Sequence, residues 1–127
     1  MKKESALQIE IVDFLSRHAQ KHKFVYFFVP NEGTFASGKC PRSGGHDCPA
    51  RGATITNLKK MGLTPGASDL CIIKKGRAHF MEVKSATGKL SKQQLVFGAR
   101  IRDCWGKWVM VRSLEDAKIA LETWGII

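Results

Sequence analysis

The sequence has no long hydrophobic run. No apolar stretch in its 127 residues approaches the roughly 18 residues of a membrane span. Its start also lacks the continuous apolar stretch and small-residue cleavage site of a signal peptide. Internal repeats and low-complexity tracts are absent as well. These features predict a cytoplasmic protein with no membrane partner, folded as one domain over residues 1–127 around a single core.

Acidic residues are scarce. The chain has 11 Asp and Glu against 21 Lys and Arg, which gives a formal net charge of +10 at pH 7. An excess of this size indicates a polyanionic partner, either nucleic acid or an anionic membrane surface.

Paired cysteines are also lacking. The four Cys residues are Cys40, Cys48, Cys71 and Cys104, and none forms a Cys-x-x-Cys pair. Cys40, His46 and Cys48 are close in sequence and leave a zinc site open, but structural zinc takes four ligands. In a reducing cytoplasm we expect free thiols.

Hydrophobic periodicity and turn residues predict an α/β chain. Between Asn31 and Thr56 five Gly and two Pro interrupt any pattern, which is typical of a functional or mobile segment. Thr56 or Asn57 is expected to cap a short helix, and Gly62 to end it. The predicted elements are a helix over 4–20, a buried strand over 23–29, an irregular segment over 33–56, strands over 69–74 and 77–84, a helix over 91–103, a strand over 107–111 and a helix from 113 through Leu114, Ala117, Ile119, Ala120 and Leu121.

The two central strands are bounded by charged residues. Asp69 opens one apolar strand, and Glu82 and Lys84 close the next, with a tight turn at Lys75-Gly76 between them. If the strands pair, the three side chains converge at one edge of the sheet, with Glu82 and Lys84 on the same face. Two carboxylates beside a lysine suit a hard divalent cation and a phosphate.

Four motifs in order resemble the VRR-NUC family of the PD-(D/E)xK nuclease superfamily. They are Glu4-xxx-Gln8, the run from Leu58 to Leu70, Phe80-Met-Glu82-Val-Lys84 and Gly88-Lys-Leu-Ser91-xx-Gln94. The resemblance covers nearly the whole chain except 33–53, and departs in that segment and in Ala67-Ser68 before the acid. It implies a restriction-endonuclease-like αβββαβ core, a central mixed sheet flanked by helices, and a metal-dependent phosphodiesterase of bacterial or phage origin.

The resemblance also implies a metal site, and the residue types agree with it. Asp69, Glu82 and the carbonyl of Val83 are the expected ligands of Mg²⁺, for which Mn²⁺ substitutes. Lys84 is expected to hold the attacking water or a phosphate oxygen. Glu4, placed on the core-facing side of its helix, is assigned to the metal directly or through water.

Simpler interpretations stay open for the same residues. Asp69 could be a turn residue, and Glu82 and Lys84 a solvated strand face. Glu4 could be a first-turn acid favoured by the helix dipole. Gln94, expected to orient the ligands from below the sheet, could instead serve only as an amide near the helix cap.

The expected substrate is branched DNA, cut by a structure-selective endonuclease that resembles four-way-junction resolvases. A less selective nickase or single-strand nuclease, or a non-catalytic DNA-binding module, remains an alternative. The basic residues expected to contact phosphate are Lys39, Arg42, Arg51, Lys59 and Lys60.

A homodimer is expected, because one site per chain cuts one strand and a two-fold axis matches a junction. The apolar end from Trp124 to Ile127 could form its contact or could pack on its own sheet. Trp105, Trp108 and Trp124 are expected in the core or in the dimer interface.

Overall fold

The computed structural model describes residues 3–30 and 56–127, which form a single small α/β domain. A four-stranded mixed sheet is flanked by helices. Residues 56–60 form a short helix as well. The principal elements in chain order are α1 (Glu4–His22), β1 (Val25–Phe28), β2 (Leu70–Lys74), β3 (Arg77–Val83), α2 (Lys92–Asp103), β4 (Lys107–Val111) and α3 (Leu114–Thr123). No described helix is long and apolar enough to cross a membrane.

The strands lie in the order β1-β2-β3-β4. β1 and β3 run antiparallel to β2, and β4 runs parallel to β3. The predicted turn between β2 and β3 is confirmed: Lys75 and Gly76 both have positive φ, 52° and 75°, as tight hairpin turns require. Leu70 pairs with Met81, so the start of β2 lies beside the end of β3.

The two faces of the sheet carry different layers. α1 and α3 cover one face, where Ile11, Leu15 and Leu121 are fully buried against the apolar side chains of β2 and β3. α2 covers part of the other face, with Phe97 edge-on to Phe80 of β3. Side chains alternate along a strand, so Glu82, two residues after Phe80 on β3, projects on this second face, with Asp69 opposite it.

The burial predicted for the first strand was wrong. β1 is shorter than 23–29 and is exposed, with Val25 63% accessible, because only one side of the strand pairs with another described strand. Ile119 faces solvent on α3, where the buried stripe is formed by smaller neighbours and Leu121. Trp105 is 82% accessible beyond the end of α2 and so lies outside the core, whereas Trp108 and Trp124 are half-buried. A place for Trp105 in a dimer interface stays a prediction.

The predicted helix boundaries are largely confirmed. The hydroxyls of Ser91 and Ser113 each accept a backbone N–H three residues later, so both residues cap their helices. The start of the short helix was misjudged, because Thr56 and Asn57 are themselves helical and neither is its N-cap. Gly62 at φ 112° ends the helix as expected. The rest of the irregular segment predicted over 33–56 lies outside the described residues.

The apolar end of the chain packs on its own domain. Ile126 is fully buried in the core, and Trp124 and Ile127 pack against it. The Lys74 ammonium donates to the carbonyl of Ile126 at 2.8 Å, which fixes the end of the chain beside β2. Packing of this segment on its own domain is therefore confirmed, and a dimer contact stays a prediction.

Shortening Ile126 should destabilise the fold. Ile126→Ala removes buried methyl groups and leaves a cavity, so we expect the free energy of unfolding to fall by about 2–5 kcal/mol. Ile119→Ala is the matched control, because the same change at an exposed position should cost no more than about 0.5 kcal/mol. Urea denaturation measures both, and equal losses would contradict the placement of the chain end in the core.

Candidate active site

Asp69 and Glu82 meet where β2 begins and β3 ends. Asp69 directly precedes β2, and the antiparallel register that pairs Leu70 with Met81 brings it opposite Glu82. One Asp69 carboxylate oxygen accepts the backbone N–H of Val83 at 2.8 Å. The convergence predicted from the sequence is confirmed, and Asp69 is more than a turn residue because its side chain bonds the next strand.

Glu82 is a buried carboxylate that is only partly satisfied. It is 3% accessible. Its Oε1 accepts a hydrogen bond from the Gln94 amide at 2.9 Å and lies 3.7 Å from the Lys84 ammonium. Its Oε2 is buried and has no hydrogen-bond partner among the described residues. A buried carboxylate oxygen left in this way is costly unless a cation or a proton meets it.

Proximity and burial shift the acidity of both groups. Burial first, and then the neighbouring Asp69 charge, raise the pKa of Glu82 to about 8, although Lys84 opposes the shift. Burial also raises the pKa of Asp69, against the lowering effect of the Val83 N–H. The pair on its own therefore retains a proton near neutral pH, and a bound cation would replace it.

Lys84 is buried at 9% accessibility and follows directly after β3. Its backbone N–H donates to Val111 at 2.9 Å, which extends the parallel pairing with β4 by one residue. Glu82 and Lys84 thus share one face of the sheet, as predicted, and the solvated-face alternative is wrong for both.

Glu4 lies beside the site, but not in the core. It is exposed at the start of α1, so the expectation of a buried carboxylate was wrong. Its Oε1 accepts a long hydrogen bond, 3.4 Å, from the backbone N–H of Ser85. Its charge still contributes to the raised pKa values of Asp69 and Glu82. The first turn of α1 therefore brings a third acid toward the pair.

Gln94 makes the contacts expected of both roles considered for it. Its side-chain oxygen accepts the backbone N–H of Ser91 at 2.8 Å, which completes a capping box, while its amide nitrogen holds Glu82. The start of α2 is thereby tied to the carboxylate, and the amide orientation is fixed at both ends.

Two supports of the site carry no obvious sequence signal. The Ser68 hydroxyl, fully buried just before Asp69, accepts the Trp108 indole N–H at 2.9 Å. Gly66 has φ 80°, and a side chain there would lie 2.4 Å from the backbone of Gln93. In the sequence, only the Pro65-Gly66 pair could have indicated the turn before Asp69. The contact between Ser68 and Trp108, which are 40 positions apart, has no local sequence signal.

Arg112 braces the turn that follows Lys84. Its guanidinium donates to the carbonyls of Ser85 and Gly88, the second at 2.7 Å. A side chain at Gly88 would lie 2.9 Å from the Glu4 carboxylate and would push this exposed side chain aside. Arg112 lies just past β4 and escaped the sequence analysis, because isolated arginines have no characteristic pattern.

The donor set suits Mg²⁺ better than a soft metal. No group of three His, Cys, Asp or Glu side chains in the described parts of the chain is arranged to hold an ion. Mg²⁺, however, is usually bound by one or two carboxylates and keeps several waters. Asp69 and Glu82, with the unpartnered Oε2, meet that requirement.

The basic residues assigned to DNA are only partly covered by the structure. Lys59 and Lys60 lie on the short helix over 56–60, which precedes the turn that leads to Asp69. Lys39, Arg42 and Arg51 lie outside the described residues, as do Cys40, His46 and Cys48. Cys71 and Cys104 are free thiols, as predicted.

Comparisons with models of known protein families and with curated protein sequences find no match to this chain. The relation to the nuclease family therefore stays a hypothesis based on the order of the four motifs.

The raised pKa of Glu82 predicts how stability depends on pH without metal. Above pH 4.5 the unfolded chain gives up this proton, whereas the folded protein keeps it to about pH 8. The folded state binds more protons in this window, so its stability falls as pH rises. Glu82→Gln removes that loss and should raise the melting temperature relative to wild type, most strongly above about pH 8.

Thermal unfolding in chelator across this range is the measurement. Glu122→Gln, which changes an exposed acid on α3, is the control and should follow the wild-type profile. Identical pH profiles for Glu82→Gln and wild type would show that Glu82 is not held protonated.

Proposed function

We propose that this protein is a Mg²⁺-dependent DNA endonuclease with a PD-(D/E)xK core, which selects branched DNA and leaves 5′-phosphate and 3′-hydroxyl ends. The observation that carries the proposal is the buried Glu82, whose Oε2 has no partner, beside Asp69 and Lys84. The succession α1-β1-β2-β3-α2-β4 supports it, because it follows the αβββαβ order that the motifs imply.

Asp69, Glu82 and the carbonyl of Val83 would hold the ion. Bound there, Mg²⁺ supplies a water of lowered pKa, neutralises charge on the phosphate and stabilises the leaving oxygen. Mn²⁺ takes similar oxygen ligands and should substitute. Glu4 is exposed and bonded to the Ser85 N–H, so it is better suited to bind a water of the ion than the ion itself.

The protein's own groups orient these ligands and hold charge. The Val83 N–H fixes Asp69, and the Gln94 amide fixes Oε1 of Glu82. Lys84 presents a buried ammonium on the same face, where it can hold a phosphate oxygen or the attacking water. Removing water around this ammonium strengthens its attraction for a phosphate.

The net charge of +10 supports a nucleic-acid substrate. Lys59 and Lys60 are placed before the Asp69 turn, and such contacts to phosphate position DNA without reading its sequence. Selection of branched DNA is supported by the family resemblance alone. A nickase or single-strand nuclease with the same chemistry is the nearest alternative.

A DNA-binding module without catalysis is the alternative from a different class. It would need no divalent ion and would leave its DNA intact. The burial of Glu82 beside Asp69 argues against it, because two adjacent acids away from water cost stability that a purely structural role would not require.

Removing either carboxylate should separate cleavage from binding. Asp69→Asn and Glu82→Gln each take away one ligand charge and leave the basic surface intact, so we expect cleavage to be lost while DNA affinity is kept or increases. Gel-based cleavage and fluorescence anisotropy measure the two properties, and Glu122→Gln is the active control. Wild-type cleavage by either variant would contradict the site.

Glu4 and Glu10 provide a second, matched comparison on α1. Glu4 contributes to the electrostatics of Asp69 and Glu82, and Glu10 does not figure among the influences on either carboxyl. Glu4→Gln should therefore lower the cleavage rate much more than Glu10→Gln. Single-turnover rates at saturating Mg²⁺ test this, and equal losses would show that proximity to the pair is irrelevant.

Substrate choice is tested with a labelled panel of four-way junction, flap, splayed and duplex DNA. The proposal expects cleavage with Mg²⁺ or Mn²⁺, none in chelator, and a preference for the junction. Cutting of every substrate at similar rates would favour the nickase alternative. Intact DNA under all conditions would favour the binding module.

A further inference from the structure

Arg112 lies at the same edge of the sheet as the acidic pair. β4 runs parallel to β3, and Val83 pairs with Val111. The backbone N–H of Lys84 donates to the carbonyl of Val111 at 2.9 Å, which continues this pairing past the end of β3. Arg112 is therefore the next residue beside Lys84. Val111 is fully buried in the core, so alternation along the strand turns the Arg112 side chain away from it.

Only one end of the Arg112 guanidinium is used inside the protein. Its Nη1 donates to the carbonyls of Ser85 and Gly88. Neither Nε nor Nη2 donates a hydrogen bond or joins an ion pair within the part of the chain that the structure describes. In that part, the buried side-chain polar atom without a partner is Oε2 of Glu82, so the open edge of the guanidinium is accessible to solvent. Three N–H groups at this edge can therefore reach a ligand.

The guanidinium is held in place before any ligand binds. The turn that accepts its two hydrogen bonds is closed by the Ser85 hydroxyl, which accepts the Gly88 N–H at 3.0 Å. At the other end of the residue, the backbone N–H of Arg112 donates to the Asp116 carboxylate at 3.0 Å. A side chain fixed in this way loses little further freedom when it binds an anion.

The chemistry of the open edge matches a phosphodiester. Nε and Nη2 of an arginine donate two parallel N–H groups, which is the geometry in which arginine binds phosphate. The net charge of +10 and the ammonium of Lys84 beside Arg112 favour a polyanion at this place. Lys84 figures among the charges that act on Asp69 and Glu82, whereas Arg112 does not, so Arg112 lies farther from the metal ligands.

We propose that Arg112 binds, through Nε and Nη2, a backbone phosphate of the DNA next to the phosphate that meets Lys84. Held at two successive phosphates, one strand would follow a fixed path across this edge of the sheet, and the bond to be cut would face Asp69 and Glu82. The inference rests on the proposed function for its ligand and for the role of Lys84. Affinity for DNA in chelator tests it without reference to cleavage.

The salt dependence of binding tests the contact. Arg112→Gln should weaken binding roughly tenfold. It should also lower the slope of log K against log salt concentration by about one, because each phosphate contact releases about one counterion. Arg112→Lys keeps the charge and should keep the slope, although it binds more weakly because an ammonium lacks the fork. Fluorescence anisotropy measures all variants on the DNA of the panel that wild type binds most tightly.

Arg77→Gln is the matched control. It makes the same change at an exposed arginine that begins β3, at the opposite end of that strand from Lys84. The salt slope of this control should equal that of wild type. A folded Arg112→Gln whose salt slope also equals that of wild type would overturn the proposal, because it would show that Arg112 only braces the turn.

A neutral methylphosphonate, placed at one phosphate after another, tests the same contact from the side of the DNA. Wild type should lose affinity most sharply at a few adjacent positions, and at one of them Arg112→Gln should lose nothing further. A wild-type profile without a sensitive position would overturn the proposal even if Arg112→Gln failed to fold. The expected profile in a protein that cuts no DNA would support the contact while contradicting the nuclease, so the two failures are distinguishable.

Discussion

The structure depends on two carboxyl groups held side by side away from water. Asp69 directly precedes β2 and Glu82 lies near the end of β3, and the hairpin register, which pairs Leu70 with Met81, places the two residues opposite each other. Burial raises the pKa of both carboxyl groups; the Glu4 charge adds to the rise, and the positive charge of Lys84 opposes it. A fold selected for stability alone would place apolar residues here, and this is why we propose that a cation from solution binds the pair.

The surroundings of the pair restrict its movement. The capping box of α2 orients Gln94, the Trp108 indole holds Ser68, and Gly66 lets the turn before Asp69 touch the backbone of α2. The helix α2 thus supports both carboxylates. It holds Glu82 through the Gln94 side chain and Asp69 through the turn at Gly66. Preorganised ligands of this kind lower the cost of binding an ion.

Local signals explain which parts could be predicted from the sequence. The Lys75-Gly76 turn, the Ser91 and Ser113 caps and the apolar strands each depend on neighbouring residues, so hairpin and helices were located correctly. Asp69, Glu82 and Lys84 followed from strand alternation. The errors concern relations between parts of the chain that are distant in sequence. β1 has the composition of a buried strand but is exposed. The helix wheel gives the direction in which Glu4 points but not how deeply it is buried, and the contact of Ser68 with Trp108 forms only through tertiary packing.

The central claim is that a divalent cation replaces a proton on the Asp69–Glu82 pair, and calorimetry measures this exchange directly. Mg²⁺ is titrated into the metal-free protein at pH 7 in two buffers with different ionisation enthalpies. Because the pKa of Glu82 is about 8, wild type should release about one proton per bound ion. Glu82→Gln should bind weakly and release fewer. Tight binding without proton release, or no Mg²⁺ binding by wild type, would contradict the account.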